Sequence, residues 1–237
     1  MRELPAAAPP GERAVGQLIA ETIRTYGDHF WRALPLGLPL AIASAVITGH
    51  AINAQVAILC GFAPLFSAAL VYASLLALDL PSVPRRRILL VTVLGMLIWL
   101  PAPVLLRAYI LPMFVWLALF GLAVPAALAE RLGPRAAIVR GRRLATADFV
   151  HALGALCGLL VVVMLSAGVL SALLHGQGES TRQAASFLAL LVLSPLLYLG
   201  PALLYTDQAA RFGVRRQRRG RRRRADLETD LGGRSER

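Results

Sequence analysis

The chain has 237 residues, of which 57% are apolar and only 16% are charged, and its mean hydropathy is +0.64. Soluble proteins carry about a quarter charged residues, and the polar stretches here are too short to bury a core of their own. The composition therefore excludes a soluble enzyme or a soluble binding module. It indicates an all-α, polytopic transmembrane helical bundle.

The first 30 residues are predicted to form an N-terminal segment with one amphipathic helix. Val15, Leu18, Thr22 and Tyr26 share one helical face, together with the isoleucines between them, while charged residues lie opposite. This pattern is typical of a helix that lies in the membrane interface. The segment lacks the short apolar stretch and cleavage site of a signal peptide, so we expect it to be retained.

Six apolar runs follow, each about as long as the ~20 residues that a helix needs to cross a membrane. Residues 31–207 are therefore predicted to form the membrane domain. The predicted spans are 33–51, 55–78, 88–106, 111–129, 152–174 and 187–206.

The basic residues predict the orientation of these spans. All 25 of them are arginine, and 23 fall on one side of the predicted topology against two, Arg107 and Arg182, on the other. Positive charge accumulates in cytoplasmic loops. We therefore expect both termini in the cytoplasm, in the inner membrane of a bacterium with a GC-rich genome.

A second amphipathic helix is predicted near 134–146, before the fifth span. Ala137, Gly141, Leu144 and Ala145 share its apolar face, and arginines cover most of the rest. The two helices and the spans that follow them match at four positions with an offset of 119 residues, including Arg24 with Arg143 and Phe30 with Phe149. These matches suggest a parallel internal repeat of an interfacial helix and a two-span hairpin.

Small residues at four-residue spacing predict where helices approach each other closely. The first span carries one such stripe and the fifth span another, and the repeat would bring the two spans together. The predicted packing residues are Gly37, Ala41, Ala45, Gly49, Gly154 and Gly158.

The sequence shows no pattern typical of catalysis or of a bound cofactor. Its four histidines and two cysteines are scattered without metal-binding spacing, and it has no nucleophile elbow and no phosphate-binding loop. Asp79, Glu130 and Asp207 fall at predicted span ends, where we expect them to pair with arginine. We therefore expect no enzymatic activity, no cofactor and no metal.

The C-terminal residues 208–237 are predicted to form a disordered, polybasic cytoplasmic tail. Arginines beside an anionic membrane leaflet each gain about 1 kcal/mol, so anionic lipid is the expected partner and nucleic acid is not. The predicted lipid contacts are Arg140, Arg142, Arg143, Arg215, Arg216, Arg218 and Arg219.

Three short motifs resemble those of a known membrane domain. They are Arg24-Thr25-Tyr26-Gly27-Asp28-His29-Phe30-Trp31, Arg140-Gly141-Arg142-Arg143-Leu144 followed by Phe149, and Leu204-Tyr205-Thr206-Asp207 followed by Arg211. Together they resemble the six-span domain associated with bacterial glycerophosphodiester phosphodiesterases, over roughly 14–213. Ala147 and Ala209 depart from that pattern. The resemblance implies a helical membrane domain, while the soluble phosphodiesterase barrel has no counterpart in this chain.

The leading hypothesis is a non-enzymatic membrane protein with an interaction, scaffolding or lipid-associated role, with a protein partner or a second copy as further partners. One alternative is a small permease or channel component that uses its proline-broken spans. Another is a membrane accessory of a lipid phosphodiesterase. A polar cavity lined by Ser44, Thr48, Ser67, Tyr72 or Ser166 would favour the permease, whereas a dry, closely packed bundle would favour the scaffold.

Overall fold

The computed structural model describes residues 9–80, 82–173, 176 and 178–214, and every regular element within them is helical. The all-α prediction is therefore confirmed. The helices are Val15–Asp28, Phe30–Ala33, Leu38–Ile47, Ile52–Gly61, Ala63–Ala77, Arg85–Trp99, Ala102–Ala108, Ile110–Phe120, Ala123–Ala129, Pro134–Ala147, Phe149–Leu173, Glu179–Leu193 and 195–214, with one 3₁₀ turn at Leu34–Gly37.

These helices form five continuous membrane-spanning segments and one bent pair, which together give six spans. Spans 1 to 6 are Phe30–Ile47, Ile52–Gly61 with Ala63–Ala77, Arg85–Ala108, Ile110–Ala129, Phe149–Leu170 and Glu179–Val214. Each overlaps the corresponding predicted run, so the multi-pass prediction is confirmed. We call the end of the bundle that carries Arg85 and Arg211 the arginine end, and the other end the opposite end.

Prolines mark several breaks in the spans. Pro35 lies in the 3₁₀ turn of span 1, and Pro64 follows the 46° bend of span 2. Pro101 separates two helices of span 3, and Pro195 follows a break in span 6. Proline has no N–H and its ring clashes with the preceding turn, which is why the helical hydrogen bonding is interrupted at these places.

The two amphipathic helices are present at Val15–Asp28 and Pro134–Ala147, as predicted. Their apolar faces pack against the protein rather than lying free in lipid. The first amphipathic helix contacts span 5, and the second contacts spans 3, 4 and 5. Leu18 and Leu144 are fully buried in these contacts, so each amphipathic helix contributes to the core of the arginine end.

The small-residue stripes of spans 1 and 5 pack on different partners. A Cβ added at Gly37 would clash with the backbone of Leu191 in span 6, and Ala41 is fully buried. Gly154 and Gly158 instead face Val15 and Ile19 of the first amphipathic helix. The glycines of the two stripes therefore pack on different partners, and the direct contact that the repeat made plausible is not formed by them.

Two other predicted packing positions have a different role. Ala45 is exposed within the monomer and lines a cavity near the opposite end. Gly49 is exposed and has a φ of +80°, just after span 1 ends. A glycine adopts this left-handed conformation without steric cost, so Gly49 serves to end the helix.

The last helix is longer than predicted. The sequence predicts that residues 208–214 belong to the disordered tail, but they continue span 6 as regular helix, and Gln208 is fully buried. Gln208 Nε2 donates to the Asp148 carbonyl at 3.2 Å, and Arg211 pairs with Asp148, contacts that a hydropathy pattern does not reveal. Arg215, Arg216, Arg218 and Arg219 lie outside the described residues, and their lipid contact stays a prediction.

Candidate functional site

A cluster of polar side chains lies inside the arginine end, and we call it the clasp. Its centre is Asp207 of span 6, whose side chain is fully buried. Asp207 Oδ1 accepts a hydrogen bond of 2.7 Å from the Gly11 N–H, and Oδ2 accepts one of 2.7 Å from Arg211 Nε. His151 Nε2 of span 5 lies 3.1 Å from the same Oδ2. The clasp comprises Asp148, His151, Asp207, Gln208 and Arg211.

Arg211 connects both amphipathic helices to span 6. Its Nη1 donates to Asp148 Oδ2 at 2.8 Å, directly after the second amphipathic helix. Its Nη2 donates to the carbonyl oxygen of Arg13 at 2.6 Å, just before the first amphipathic helix. A guanidinium offers five donors in a fixed plane, which allows this one side chain to bridge three segments of the chain.

A second ion pair ties the second amphipathic helix to spans 4 and 6. Arg140 Nε donates to both carboxylate oxygens of Glu130, at 2.8 and 2.9 Å. The Tyr205 hydroxyl donates to Glu130 Oε1 at 3.0 Å, and the Arg140 guanidinium lies 5.0 Å from the centre of the Phe212 ring. Glu130 and Asp207 thus pair with arginine as predicted.

Asp79 does not follow that expectation, because it forms no ion pair with any described residue. It is exposed in the turn after span 2, where its φ is 43°. Among the predicted lipid-contacting arginines, Arg142 and Arg143 are exposed, whereas Arg140 is half-buried in its pair with Glu130. Of these three arginines, Arg142 and Arg143 are therefore the ones on the surface, where they could contact lipid headgroups.

The centre of the bundle contains an apolar cavity of about 260 Å³. Residues of all six spans form its wall, which consists almost wholly of hydrocarbon and aromatic groups. One wall residue from each span, in order, is Leu40, Phe66, Trp99, Phe114, Leu159 and Tyr198.

Two residues of the wall are also exposed on the outside of the bundle. Leu106 of span 3 has 41% of its surface exposed, and Met164 of span 5 has 48%. The cavity wall therefore reaches the apolar, lipid-facing surface of the bundle at these two residues. From Leu156 to Met164 the wall extends about 12 Å along span 5, at 1.5 Å per residue. The cavity is thus an elongated site whose wall meets the lipid laterally.

A second cavity, of about 500 Å³, lies near the opposite end between spans 1 and 6. Ser44, Thr48, Arg182 and Gln183 make it polar. Two of the five residues expected to mark a permeation pathway are therefore here. The others are elsewhere: Tyr72 and Ser166 are exposed, and Ser67 is buried and donates to the Thr92 carbonyl at 2.7 Å.

Within the described part of the chain, no group of three or more His, Cys, Asp and Glu side chains is arranged to hold a metal ion. Cys60 and Cys157 are both free thiols. Cys60 Sγ donates a weak hydrogen bond of 3.6 Å to the Leu100 carbonyl.

Sequence reasoning missed the apolar cavity and most of the clasp. The cavity wall consists of ordinary apolar residues, which differ in no way from lipid-facing ones in a hydropathy pattern. Pro103 and Pro201 do line the cavity, so the prolines within the predicted spans were the one available signal. Asp148 and His151 lie far before Arg211 in the sequence, and only the packing of spans 5 and 6 brings them to it. Gln208 is close to Arg211 in the sequence, but no pattern there distinguishes it from a residue of a polar tail.

Comparison of the chain with models of known protein families, with curated proteins and with solved structures finds no match.

Proposed function

We propose that this protein is a non-enzymatic, lipid-associated protein of the bacterial cytoplasmic membrane that holds a lipophilic molecule in its central cavity. The observation that carries this proposal is the apolar cavity formed by all six spans, the wall of which reaches the lipid-facing surface. An apolar cavity left empty forfeits the dispersion contacts that its wall atoms could make, so an occupant is favoured.

Water is a poor occupant of this cavity. A buried water needs two to four polar partners, and the wall offers almost none. Hydrocarbon from the bilayer is present at high concentration beside Leu106 and Met164, and it gives up no hydrogen bond on entering an apolar site. The chemistry of the wall therefore favours a lipid or another bilayer-soluble molecule.

Lipid extraction with a cavity-filling variant tests the proposal. Ala118 is fully buried and lines the cavity, so Ala118→Leu should fill part of it. The matched control is Ala172→Leu, at an exposed position after span 5. After purification in mild detergent, mass spectrometry should detect about one retained lipophilic molecule per protein in the wild type and the control, and less in Ala118→Leu.

Equal retention in the two variants, with both shown to be folded by gel filtration and circular dichroism, would contradict the proposal. So would the absence of any retained molecule from the wild-type protein. Either result would leave the scaffold hypothesis, in which the bundle itself is the functional surface.

The proposed orientation places the arginine end in the cytoplasm, because exposed Arg142 and Arg143 would there face anionic headgroups. Ser82 and Ser180 are exposed at opposite ends of the bundle. In a background of Cys60→Ala and Cys157→Ala, we expect a cysteine at Ser180 to react with a membrane-impermeant thiol reagent from outside whole cells. A cysteine at Ser82 should react only after lysis, and the reverse result would invert the topology.

The polar cavity near the opposite end favours a permease as the second candidate function. The central cavity, however, has an almost wholly apolar wall, which is unfavourable for a polar solute. If a cysteine at Ser67 proves accessible to water-soluble thiol reagents, a polar pathway extends into the bundle and the permease is favoured. The accessory role beside a lipid phosphodiesterase rests on the motif resemblance alone.

A further inference from the structure

The two wall residues of the central cavity that are exposed to lipid lie toward the opposite end of the bundle. Leu106 is two residues from that end of span 3, and Met164 is six residues from that end of span 5, or about 3 and 9 Å at 1.5 Å per residue. Both are much further from the arginine end, since Leu106 is 21 residues from Arg85 and Met164 is 15 residues from Phe149. A molecule that enters the cavity at these residues therefore comes from the membrane leaflet at the opposite end.

From there the cavity wall continues toward the middle of the bundle. On span 5 it extends from Met164 to Leu156, about 12 Å, and on span 4 it extends from Met113 to Leu122, about 14 Å, at 1.5 Å per residue. One leaflet contributes about 15 Å to a hydrocarbon core of ~30 Å. The cavity thus has the length and the apolar wall that suit most of one acyl chain.

Arg107, directly after Leu106 in the chain, is a cation without a carboxylate partner. It is exposed in the last turn of its helix and forms no ion pair with any described residue. Arg182, the other arginine of the opposite end, differs because it pairs with Glu179. Tyr109 follows Arg107 with 77% of its surface exposed, and tyrosines of this kind are typical of the headgroup level. Arg107 therefore lies at the depth of lipid phosphate groups.

From these observations we infer that the central cavity receives one acyl chain of a phospholipid from the leaflet at the opposite end, and that Arg107 binds the phosphate of the same molecule. A guanidinium presents a planar set of donors that matches a phosphate group. Leu106, the neighbour of Arg107, carries the cavity wall to the lipid-facing surface, so headgroup and chain have adjoining sites. The inference rests on the proposed function and specifies its ligand and the leaflet that supplies it.

Quenching of Trp99 fluorescence by brominated lipid provides the first test. Trp99 lines the cavity, and a variant with Trp31→Phe and Trp116→Phe keeps it as the sole tryptophan. In micelles of a non-ionic detergent, phosphatidylglycerol with bromine on its acyl chains should quench Trp99 saturably. Diacylglycerol with the same chains lacks the phosphate, so half-saturation should need about a tenfold higher mole fraction, the effect of one charge-assisted hydrogen bond. Half-saturation at the same mole fraction would overturn the role of the phosphate.

Two matched substitutions separate Arg107 from the general charge of the opposite end. Arg107→Gln and Arg182→Gln each remove one arginine from that end, and gel filtration checks that both variants are folded. In the background with Trp99 alone, Arg107→Gln should raise the half-saturating mole fraction of brominated phosphatidylglycerol about tenfold and leave that of diacylglycerol unchanged. Arg182→Gln should change neither. If the two variants behave alike, Arg107 is not the phosphate site.

Inorganic phosphate distinguishes a lipid from a free anion at Arg107. It offers the same oxygens without a chain, so at an ionic strength matched with chloride it should leave the quenching by brominated phosphatidylglycerol unchanged. Displacement of the lipid by inorganic phosphate would contradict the inference, because the chain would then contribute nothing to binding.

The same titrations distinguish failure of the inference from failure of the proposed function. If phosphatidylglycerol and diacylglycerol quench Trp99 saturably at the same mole fraction and Arg107→Gln changes neither, the cavity holds a hydrocarbon chain of any lipid. The lipid-associated function then stands, and the phosphate site does not. If neither lipid quenches Trp99 saturably and no lipophilic molecule copurifies, both proposals fail.

Discussion

The two amphipathic helices have similar sequence patterns, but they pack on the spans in opposite ways. The second amphipathic helix supplies the small residue itself, since a Cβ on Gly141 would lie 2.6 Å from the backbone nitrogen of Ala123. In the first amphipathic helix the span supplies it, and the Ile19 side chain lies over Gly158. Contact with a backbone cannot adjust, whereas contact with the end of a side chain can. The two interfaces should therefore differ in their tolerance of added volume.

A substitution in the clasp should reduce stability most, because the clasp holds both amphipathic helices at once. Asp207→Asn removes the buried charge that faces Arg211, His151 and the Gly11 N–H. Breaking one partner of a buried ion pair costs about 3 kcal/mol or more. We expect a large fall in Tm, measured by fluorescence-detected gel filtration after heating in detergent.

The matched control for the clasp is Glu130→Gln, which affects an ion pair to the second amphipathic helix alone. This pair is more exposed, so the loss should be about 1 kcal/mol or less. Limited proteolysis should show both amphipathic helices loosened by Asp207→Asn and only the second by Glu130→Gln. Loosening of a single helix by Asp207→Asn would argue against the bridging role of the clasp.

The next largest effect is expected at Gly141. In Gly141→Ala the new methyl group meets the backbone of Leu122 and Ala123, which can move only with span 4. Such overpacking costs about 1–3 kcal/mol, and we expect the upper part of that range. Thermal unfolding in detergent measures it, and a Tm equal to that of the wild type would mean that the helix lies further from span 4 than described.

Gly158→Ala, in the contact with the first amphipathic helix, should reduce stability less than Gly141→Ala does. Its Cβ would lie 2.8 Å from Ile19 Cδ1, the far end of a side chain that can rotate away. We expect a loss of at most about 1 kcal/mol, at the low end of the cost of overpacking. Combining it with Ile19→Val should recover part of the loss in Tm. Without that recovery, the first amphipathic helix does not pack through Ile19.

The smallest effect is expected at Tyr26 of the first amphipathic helix, whose hydroxyl is buried without a partner among the described residues. Tyr26→Phe removes that unsatisfied group, so stability should be unchanged or slightly higher. Burial also raises the pKa of the Tyr26 hydroxyl. The neutral hydroxyl is thus favoured in the folded state. Its contribution to the free energy of unfolding is fully present below the unfolded pKa of about 10, and it is lost as the pH rises through the raised pKa of the folded state.

Thermal unfolding of the wild type and of Tyr26→Phe at alkaline pH measures this contribution of the Tyr26 hydroxyl. The Tm of the wild type should fall more steeply above about pH 10 than that of Tyr26→Phe, because only the wild type carries the group that ionises. Parallel curves would show that the Tyr26 hydroxyl reaches solvent.

The sequence by itself determined the elements of this protein. Apolar runs of membrane length predicted all six spans, since a backbone in hydrocarbon must satisfy its own hydrogen bonds and forms helices wherever it crosses. Helical periodicity predicted both amphipathic helices and the residues of their buried faces, including Leu18, Thr22, Gly141 and Leu144. The rule that polar groups seek partners was enough to expect arginine beside Glu130 and Asp207.

Only the tertiary structure decided which surfaces meet. Between helices in a membrane, apolar surface toward lipid and apolar surface toward protein have the same hydropathy, so no pattern separates Trp99 in the cavity wall from Trp31 outside. The stripes on spans 1 and 5 predicted close packing but not its partners, because close approach depends on shape. Arg211 reaches Asp148 across 63 positions of sequence. That contact exists because the folded spans bring both residues to one end of the bundle, which is information that local sequence does not contain.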